Sequence, residues 1–201
     1  VMPEVIFGRG SLQQVGESCL RLGAKKVLIV SDPGVIEAGW LAQVVVSCQE
    51  AGLMFACYQE ITTNPKDYEA EQGAAFYKEQ ECDAIIGIGG GSVIDIAKAV
   101  AILATNGGRI SDYEGVDRIE VPLPPLVMAG TTAGSGSEVS QFSVIVNTES
   151  KKKMTIVSKS LVPDIAIIEP EKLSTKSDHL TASTGLDVLT HALEAFVSVA
   201  G

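Results

Sequence analysis

The sequence predicts an α/β fold built on a parallel β-sheet. Three short apolar runs, at residues 27–30, 53–58 and 83–88, have the length and composition of buried strands. Each run ends near turn-forming or small polar residues and is followed by a segment predicted to be helical. Strands that alternate with helices in this way are typical of parallel βαβ units, in which helices cover both faces of the sheet.

The first half of the chain supplies most of these units. Its predicted elements are a strand at 4–7, an amphipathic segment at 12–22, the strand at 27–30, a helix at about 35–51, the strand at 53–58 and a helix at about 67–81. The strand at 4–7 has an unpaired edge. We therefore expect it to pair with a second subunit, in a homodimer or a higher homo-oligomer.

The second half begins with a helix that ends near Thr105, where Asn106-Gly-Gly108 is a C-terminal stop signal. The next predicted elements are a strand at 126–128, a small-residue loop at 130–137, a β-hairpin of strands at 142–146 and 154–157, and a buried strand at 165–168. The composition changes after Pro170. From Leu180 to Val199 the sequence predicts a helix with an apolar stripe, formed by Leu186, Leu189, Leu193, Phe196 and Val197.

The composition of the chain argues against several classes of function. A formal charge of −10 over 201 residues argues against a nucleic-acid partner, because phosphate binding requires clustered Lys and Arg. The sequence has neither the pattern of a signal peptide nor an apolar run of roughly 18 residues, so we expect a cytoplasmic protein with no membrane partner. Free thiols in a reducing compartment are expected for the widely spaced cysteines, which are Cys19, Cys48, Cys57 and Cys82.

The strongest single feature is the segment Gly89-Gly90-Gly91-Ser92, which joins the 83–88 strand to a helix. Glycine permits a tight turn and the close approach of backbone to a phosphate, and the N–H groups that begin a helix can bind an anion. Ser92 and Asp95 also have the spacing of a helix-capping pair. Because Ser92 replaces the last glycine, the segment is not a G-x-G-x-x-G motif. A phosphate site is favoured over a turn whose glycines serve packing alone.

Two further segments could extend a phosphate site. Asp32 follows the second predicted strand, where a carboxylate can accept hydrogen bonds from a ribose and repel a 2′-phosphate. It could equally cap the turn at Pro33-Gly34. The loop at 130–137 offers hydroxyls for phosphate or ribose contacts, although a solvated linker has a similar composition. These hydroxyls belong to Thr131, Thr132 and Ser135.

Asp187 and His191 have the spacing of two metal ligands on one helix face. Residues four apart on a helix are neighbours, and a carboxylate with an imidazole can coordinate a divalent metal. An isolated pair of this kind could instead form a surface ion pair, and two ligands alone do not complete a site. The other histidine, His179, is expected in a solvated loop before the helix.

Taken together, these residues resemble the iron-containing (group III) alcohol dehydrogenase family. The segments that carry the resemblance are Gly89–Lys98, Gly130–Glu138, Leu161–Ala166 and Ala182–Glu194. The resemblance implies a Rossmann-like, parallel-sheet dinucleotide-binding domain with a β-hairpin at residues 1–178. It also implies the start of an all-helical metal and substrate domain at 179–201, with the metal and the substrate in the cleft between the two.

The resemblance also implies a role for each candidate residue in NAD binding. Gly89, Gly90, Gly91 and Ser92 would hold the pyrophosphate, with Asp95 supporting the loop. Asp32 would contact the adenosine ribose and Asn64 would line the adenine end. The residues expected to continue toward the nicotinamide half are Thr131, Thr132 and Ser135, with Lys153 near the nicotinamide ribose.

The implied reaction is hydride transfer between NAD(H) and an alcohol, which becomes an aldehyde or a ketone. Asp187 and His191 match the first two metal ligands, for Fe²⁺ or Zn²⁺, with Fe²⁺ preferred. The family's other two ligands are histidines further downstream, and the chain ends before them, so the 201-residue chain alone is expected to be an inactive fragment. Alternatives are a glycerol-type polyol dehydrogenase, a metal-free maleylacetate-type reductase, which the Asp187 and His191 pair disfavours, and a non-catalytic nucleotide-binding module.

Overall fold

A computed structural model describes residues 2–173 and 178–198, apart from the side chains of residues 172–181. The strands are β1 (Glu4–Phe7), β2 (Lys26–Val30), β3 (Met54–Tyr58), β4 (Ala84–Gly89), β5 (Gly115–Val116), β6 (Leu126–Gly130), β7 (Phe142–Asn147), β8 (Lys152–Val157) and β9 (Ile165–Ile168). The helices are α1 (Val15–Arg21), α2 (Pro33–Glu37), α3 (Trp40–Glu50), α4 (Asp67–Glu79), α5 (Gly91–Asn106), α6 (Pro170–Leu173) and α7 (Asp178–Val197). Short 3₁₀ turns lie at Ser11–Gln14, Ile110–Tyr113, Ser137–Val139 and Lys159–Leu161.

Six of the strands in the described ranges form one parallel sheet, in the order β1-β9-β6-β4-β2-β3. In the middle of this sheet Ile86 pairs with Ile29 on one side and with Val127 on the other. Every residue of β4 is buried, as expected for a strand that is covered on both faces. The predicted parallel α/β architecture is confirmed.

The two faces of the sheet support separate apolar cores. Because side chains alternate along a strand, Leu28 and Ile85 point into a core with α4 and α5, while Ile29 and Ile86 point into a core with α1 and α3. α5 is deeply buried, with every residue from Val93 to Leu103 shielded from solvent. The N-terminus of α5 is thereby held at the carboxyl edge of the sheet.

The predicted β-hairpin is also confirmed. β7 and β8 pair in antiparallel fashion, with Phe142 opposite Val157 and Asn147 opposite Lys152. β5 adds to β8 as a third strand. The sequence analysis missed β5, because a strand of two residues leaves no periodic pattern.

Two local predictions are wrong. The single helix expected at about 35–51 is two helices, α2 and α3, because the chain turns at Gly39, whose φ of 74° is in the left-handed region that favours glycine. His179 was expected in a loop but lies in the first turn of α7.

The apolar stripe expected near the end of the chain is present on α7 and is exposed to solvent. Leu186 is 65% exposed and Phe196 is 87% exposed. Within the described ranges, no helix has both the length and the apolar character needed to cross a membrane.

The four cysteines are free, as predicted. Burial raises the pKa of the Cys48 thiol to about 11 and that of Cys82 to about 11. Both thiols therefore stay protonated near neutral pH and act as small apolar groups of the core.

Candidate functional site

A cavity of about 740 Å³ lies at the carboxyl edge of the parallel sheet. Its walls come from the segments that follow β2, β3, β4 and β6, together with Thr184 and Asp187 of α7. Ligands of parallel α/β sheets bind at this edge, where the loops after neighbouring strands converge. The cavity therefore brings together segments that are far apart in the sequence.

The glycines at the end of β4 and directly after it are required for two separate structural reasons. A Cβ on Gly89 would lie 2.5 Å from Cγ2 of Val93, so this glycine allows α5 to pack close to the end of its own strand. At Gly91 a Cβ would lie 3.0 Å from Oγ of Ser135 and at Gly90 it would lie 3.3 Å from Oγ1 of Thr132. Gly90 and Gly91 thus keep open the gap between the start of α5 and the hydroxyl loop.

The predicted capping pair of Ser92 and Asp95 is wrong. α5 begins at Gly91 with Gly90 as its N-cap residue, and no side chain caps it. Ser92 therefore lies inside the first turn, while the Asp95 carboxylate accepts a hydrogen bond from Oγ of Ser137 at 3.2 Å. The N–H of Val93 donates to the carbonyl oxygen of Gly90 at 3.0 Å. Since no side chain caps α5, the N–H groups of Gly91 and Ser92 remain available to an anion in the cavity.

Lys98 lies one turn after Asp95 and is fully buried. Its Nζ donates hydrogen bonds of 2.8, 2.7 and 2.9 Å to the carbonyl oxygens of Ser137, Ser140 and Phe142. Three acceptors require three N–H donors, which only the charged ammonium supplies. Burial lowers the pKa of Lys98, and the carboxylates of Asp95 and Glu138 oppose that change. Lys98 and Asp95 together fix the segment 137–142 against α5.

Asp32 caps a helix and also lines the large cavity. It is the N-cap residue of α2, and its Oδ1 accepts a hydrogen bond of 2.9 Å from the N–H of Val35. It also lines the large cavity. Capping occupies Oδ1 and holds the side chain in place, and the second carboxylate oxygen can serve a ligand hydroxyl.

The hydroxyl loop after β6 forms the wall opposite the start of α5. The backbone N–H of Thr131 donates to the carbonyl oxygen of Gly89 at 2.9 Å, which joins the two loops at their bases. Thr131, Thr132 and Ser135 all line the cavity. Gly134, with a φ of 124°, approaches α7 so closely that a Cβ there would lie 3.1 Å from Oδ2 of Asp187.

A second cavity, of about 330 Å³, adjoins the first. Both cavities are lined by Gly91, Ser92, Ser135 and Asp187. The second cavity is also lined by Asn64, Lys153 and His191. Asn64 therefore lies on the same side of the cleft as Lys153, whereas Asp32 lines only the first cavity.

Asp187 and His191 offer two donors toward a metal ion. Oδ1 of Asp187 lies 3.8 Å from Nε2 of His191, and each side chain is about half exposed, at 50% and 54%. A carboxylate oxygen and an imidazole nitrogen on one helix face are chemically suited to Fe²⁺ or Zn²⁺. Among the residues whose side chains are described, no third His, Cys, Asp or Glu joins them.

The sequence analysis missed one wall of the cleft. Ile61, Thr62 and Thr63, which follow β3, line the large cavity, and so does Thr184 of α7. The available signal was the position of the loop at the carboxyl end of a predicted parallel strand, next to Asn64-Pro65.

Comparison with known proteins decides the family. Residues 3–170 match the sequence profile of iron-containing alcohol dehydrogenases. The chain belongs to the iron-containing alcohol dehydrogenase family. This finding confirms the resemblance that the glycine segment, the hydroxyl loop and the Asp187 and His191 pair indicated.

Relatives within the iron-containing alcohol dehydrogenase family have similar sequences and the same fold. The NAD-dependent methanol dehydrogenase of Bacillus methanolicus is 40% identical over 198 residues, which are 98% of this chain and 52% of that protein. The 1,3-propanediol dehydrogenase of Klebsiella pneumoniae is 40% identical over 201 residues, covering 98% of this chain and 52% of the relative. A crystal structure of a 1,3-propanediol oxidoreductase superimposes with a TM-score of 0.96 at 40% identity, over 99% of this chain and 52% of that one. The chain thus spans about half the length of these relatives.

Proposed function

We propose that this chain forms the nucleotide-binding part of a metal-dependent oxidoreductase that interconverts an alcohol and its aldehyde or ketone with NAD(H). The observation that carries the proposal is the cleft between the uncapped N-terminus of α5 and the hydroxyl loop, in which Gly90 and Gly91 leave room for a pyrophosphate. Two of the family relatives are named as dehydrogenases of alcohols, one of them NAD-dependent.

The proposed course of the dinucleotide follows the cleft. The N–H groups at the start of α5 would bind the pyrophosphate, and Asp32 would accept hydrogen bonds from the adenosine ribose. Thr131, Thr132 and Ser135 would bind along the other wall, and Lys153 would lie near the nicotinamide ribose. Asn64 remains a candidate for the adenine end, although it shares a cavity with Lys153.

Asp187 and His191 are the proposed ligands of a divalent metal, with Fe²⁺ preferred and Zn²⁺ as the alternative. Such an ion, when bound, would supply Lewis acidity toward the oxygen of the alcohol or carbonyl. The position of Asp187 in both cavities fits this proposal, because it holds one ligand beside the space assigned to the nucleotide.

The substrate is proposed as a small alcohol or the matching aldehyde. Methanol and 1,3-propanediol, named for two relatives of equal identity, differ in size and polarity, so similarity alone does not select the alcohol.

We further propose that the domain boundary lies between residues 178 and 179, close to residues 174–177, which are outside the described ranges. We also propose a homodimer or higher homo-oligomer in the cytoplasm. The exposed edge of β1, which carries Val5 and Phe7, supports the oligomer.

Asp32→Asn is expected to change the preference for NAD(H) over NADP(H). The amide oxygen can still cap α2, and the removal of the negative charge removes repulsion of a 2′-phosphate, so NADPH affinity should rise about 10- to 100-fold. Fluorescence titration with NADH and with NADPH measures both affinities. Glu37→Gln, an exposed change near the end of the same helix, is the matched control. Equal binding of the two nucleotides by the unchanged chain would contradict the proposal.

The 201-residue chain is expected to hold Fe²⁺ or Zn²⁺ weakly and to show no turnover of simple alcohols. The two donors among the described side chains leave most coordination positions to water, so a chelator should remove the ion readily. Metal content after dialysis and NADH formation from ethanol or 1,3-propanediol test this. Stoichiometric metal that resists a chelator, together with turnover, would show that the described donors are not the whole site.

A further inference from the structure

The loop that joins β3 to α4 is folded around one buried carboxylate. Glu69, in the first turn of α4, is 1% exposed, although glutamate is rarely buried without partners. Its Oε1 accepts hydrogen bonds from the N–H of Thr62 at 3.2 Å and from the hydroxyl of Thr62 at 2.7 Å. Its Oε2 accepts from the N–H of Lys66 at 3.0 Å. Both ends of the segment 62–66 are thus bound to the same side chain.

The ammonium group of Lys66 strengthens this arrangement. Nζ of Lys66 lies 3.9 Å from Oε1 of Glu69 and donates to the carbonyl oxygen of Thr63 at 3.3 Å. It also contacts the hydroxyl of Thr62. A cation and a carboxylate therefore meet inside the curve of the loop, where partial burial makes their attraction stronger than at an open surface.

Glu69 is itself fixed by the surrounding structure. The hydroxyl of Tyr58, at the end of β3, donates to the backbone carbonyl of Glu69 at 2.9 Å. Burial raises the pKa of Tyr58 to about 12, so the phenol keeps the proton that it donates. On the other side of the loop, the N–H of Val146 in β7 donates to the carbonyl oxygen of Pro65 at 2.7 Å.

The loop held in this way forms another wall of the cleft, in addition to the start of α5 and the hydroxyl loop. Thr62 and Thr63 line the first cavity, and Asn64 and Pro65 line the second. Asn64 adopts a φ of 56°, a left-handed conformation that is unfavourable for most residues and that the flanking hydrogen bonds hold in place. The loop spans both cavities, so its position sets the width of the cleft along the proposed path of the nucleotide.

We propose that Glu69 is a positioning residue for the dinucleotide: its carboxylate holds the loop 62–66 at the distance from α5 that NAD(H) requires. This inference rests on the proposed function of the cleft. Glu69 touches no ligand in this role and acts through Thr62 and Lys66. Its loss should weaken nucleotide binding beyond any loss of fold stability.

The test compares NADH affinity with thermal stability in Glu69→Gln. The amide can still accept from Thr62, but its NH₂ group faces the N–H of Lys66, so one end of the loop is released and NADH affinity should fall about tenfold. Thr62→Val should weaken binding likewise, and Thr62→Ser, which keeps the hydroxyl, should restore it. Glu71→Gln, an exposed change on the same helix, is the control and should bind normally.

A double-mutant cycle adds a readout that a merely structural role would not move. If Glu69 acts through Thr62, Glu69→Met, which removes both carboxylate oxygens, combined with Thr62→Val should bind NADH about as weakly as Glu69→Met alone. Affinities are measured well below the melting temperature, so that only folded protein is compared. A lower melting temperature with unchanged NADH affinity would overturn the positioning role, and so would additive effects of the two changes.

Amide hydrogen exchange separates this inference from the proposed function. If the unchanged chain fails to bind NADH, the proposed function is wrong. Amide exchange at residues 62–66 then tests separately whether Glu69 holds the loop. Faster exchange of the Lys66 amide in Glu69→Gln than in Glu71→Gln would support the role of Glu69 in holding the loop. Equal exchange in the two variants would overturn it.

Discussion

Lys98→Met is expected to lower the free energy of unfolding by about 3–5 kcal/mol, which is the cost of removing one member of a buried, hydrogen-bonded charge network. Methionine fills most of the space but donates no hydrogen bond. The carbonyl oxygens of Ser137, Ser140 and Phe142 would be left without the ammonium that now binds them. Asp95 and Glu138 would also lose their neighbouring positive charge.

Urea denaturation followed by circular dichroism measures this change. Lys152→Met, at an exposed position of β8, makes the same substitution without these partners and should alter stability by less than about 0.5 kcal/mol. If Lys98→Met also cost less than about 1 kcal/mol, the three carbonyl contacts would not contribute to stability as the geometry indicates.

Gly91→Val is expected to reduce NADH affinity by about 100-fold or more, with a much smaller effect on stability. The added Cβ would lie 3.0 Å from Oγ of Ser135, in the gap between α5 and the hydroxyl loop. Valine would therefore fill the space proposed for the pyrophosphate. The loss of two charge-assisted hydrogen bonds, each worth about 1.5–3 kcal/mol, is sufficient for a change of this size.

Gly185→Val is the matched control for that experiment. Gly185 lies on α7, and a Cβ there would meet nothing within 4 Å. The Gly185→Val variant should bind NADH with an affinity within about twofold of that of the unchanged chain. Circular dichroism should show both variants to be folded. NADH binding by Gly91→Val at normal affinity would place the nucleotide elsewhere.

Much of the fold could be predicted because its strands are short, continuous apolar runs. The runs at 27–30 and 83–88 became β2 and β4 with boundaries shifted by about one residue. The break at Gly39 was missed because its flanks continue the helical pattern on both sides. The conformation of a single glycine is set by what its neighbours pack against, and a one-dimensional pattern does not record that.

Part of the candidate site could likewise be predicted from the sequence, and part could not. The glycine segment was evident because backbone must approach a ligand closely there. The partners of Asp95 were not predicted, since Ser137 lies 42 positions along the chain and comes close only through the sheet order. Glu69 was missed for a different reason, because its chemistry depends on burial and its residue type normally indicates a solvated surface.

The order of the sheet also bears on how this chain is assembled during synthesis. Among the described strands β1 is synthesised first, yet its neighbour in the sheet is β9, with Glu4 opposite Ile165. The β2-β3-β4 unit can pair early, whereas β1 must wait until more than 150 further residues have emerged. Residues 4–7, which include Val5 and Phe7, therefore stay without their sheet partner until β9 has been synthesised, and their pairing is a late, long-range step of folding.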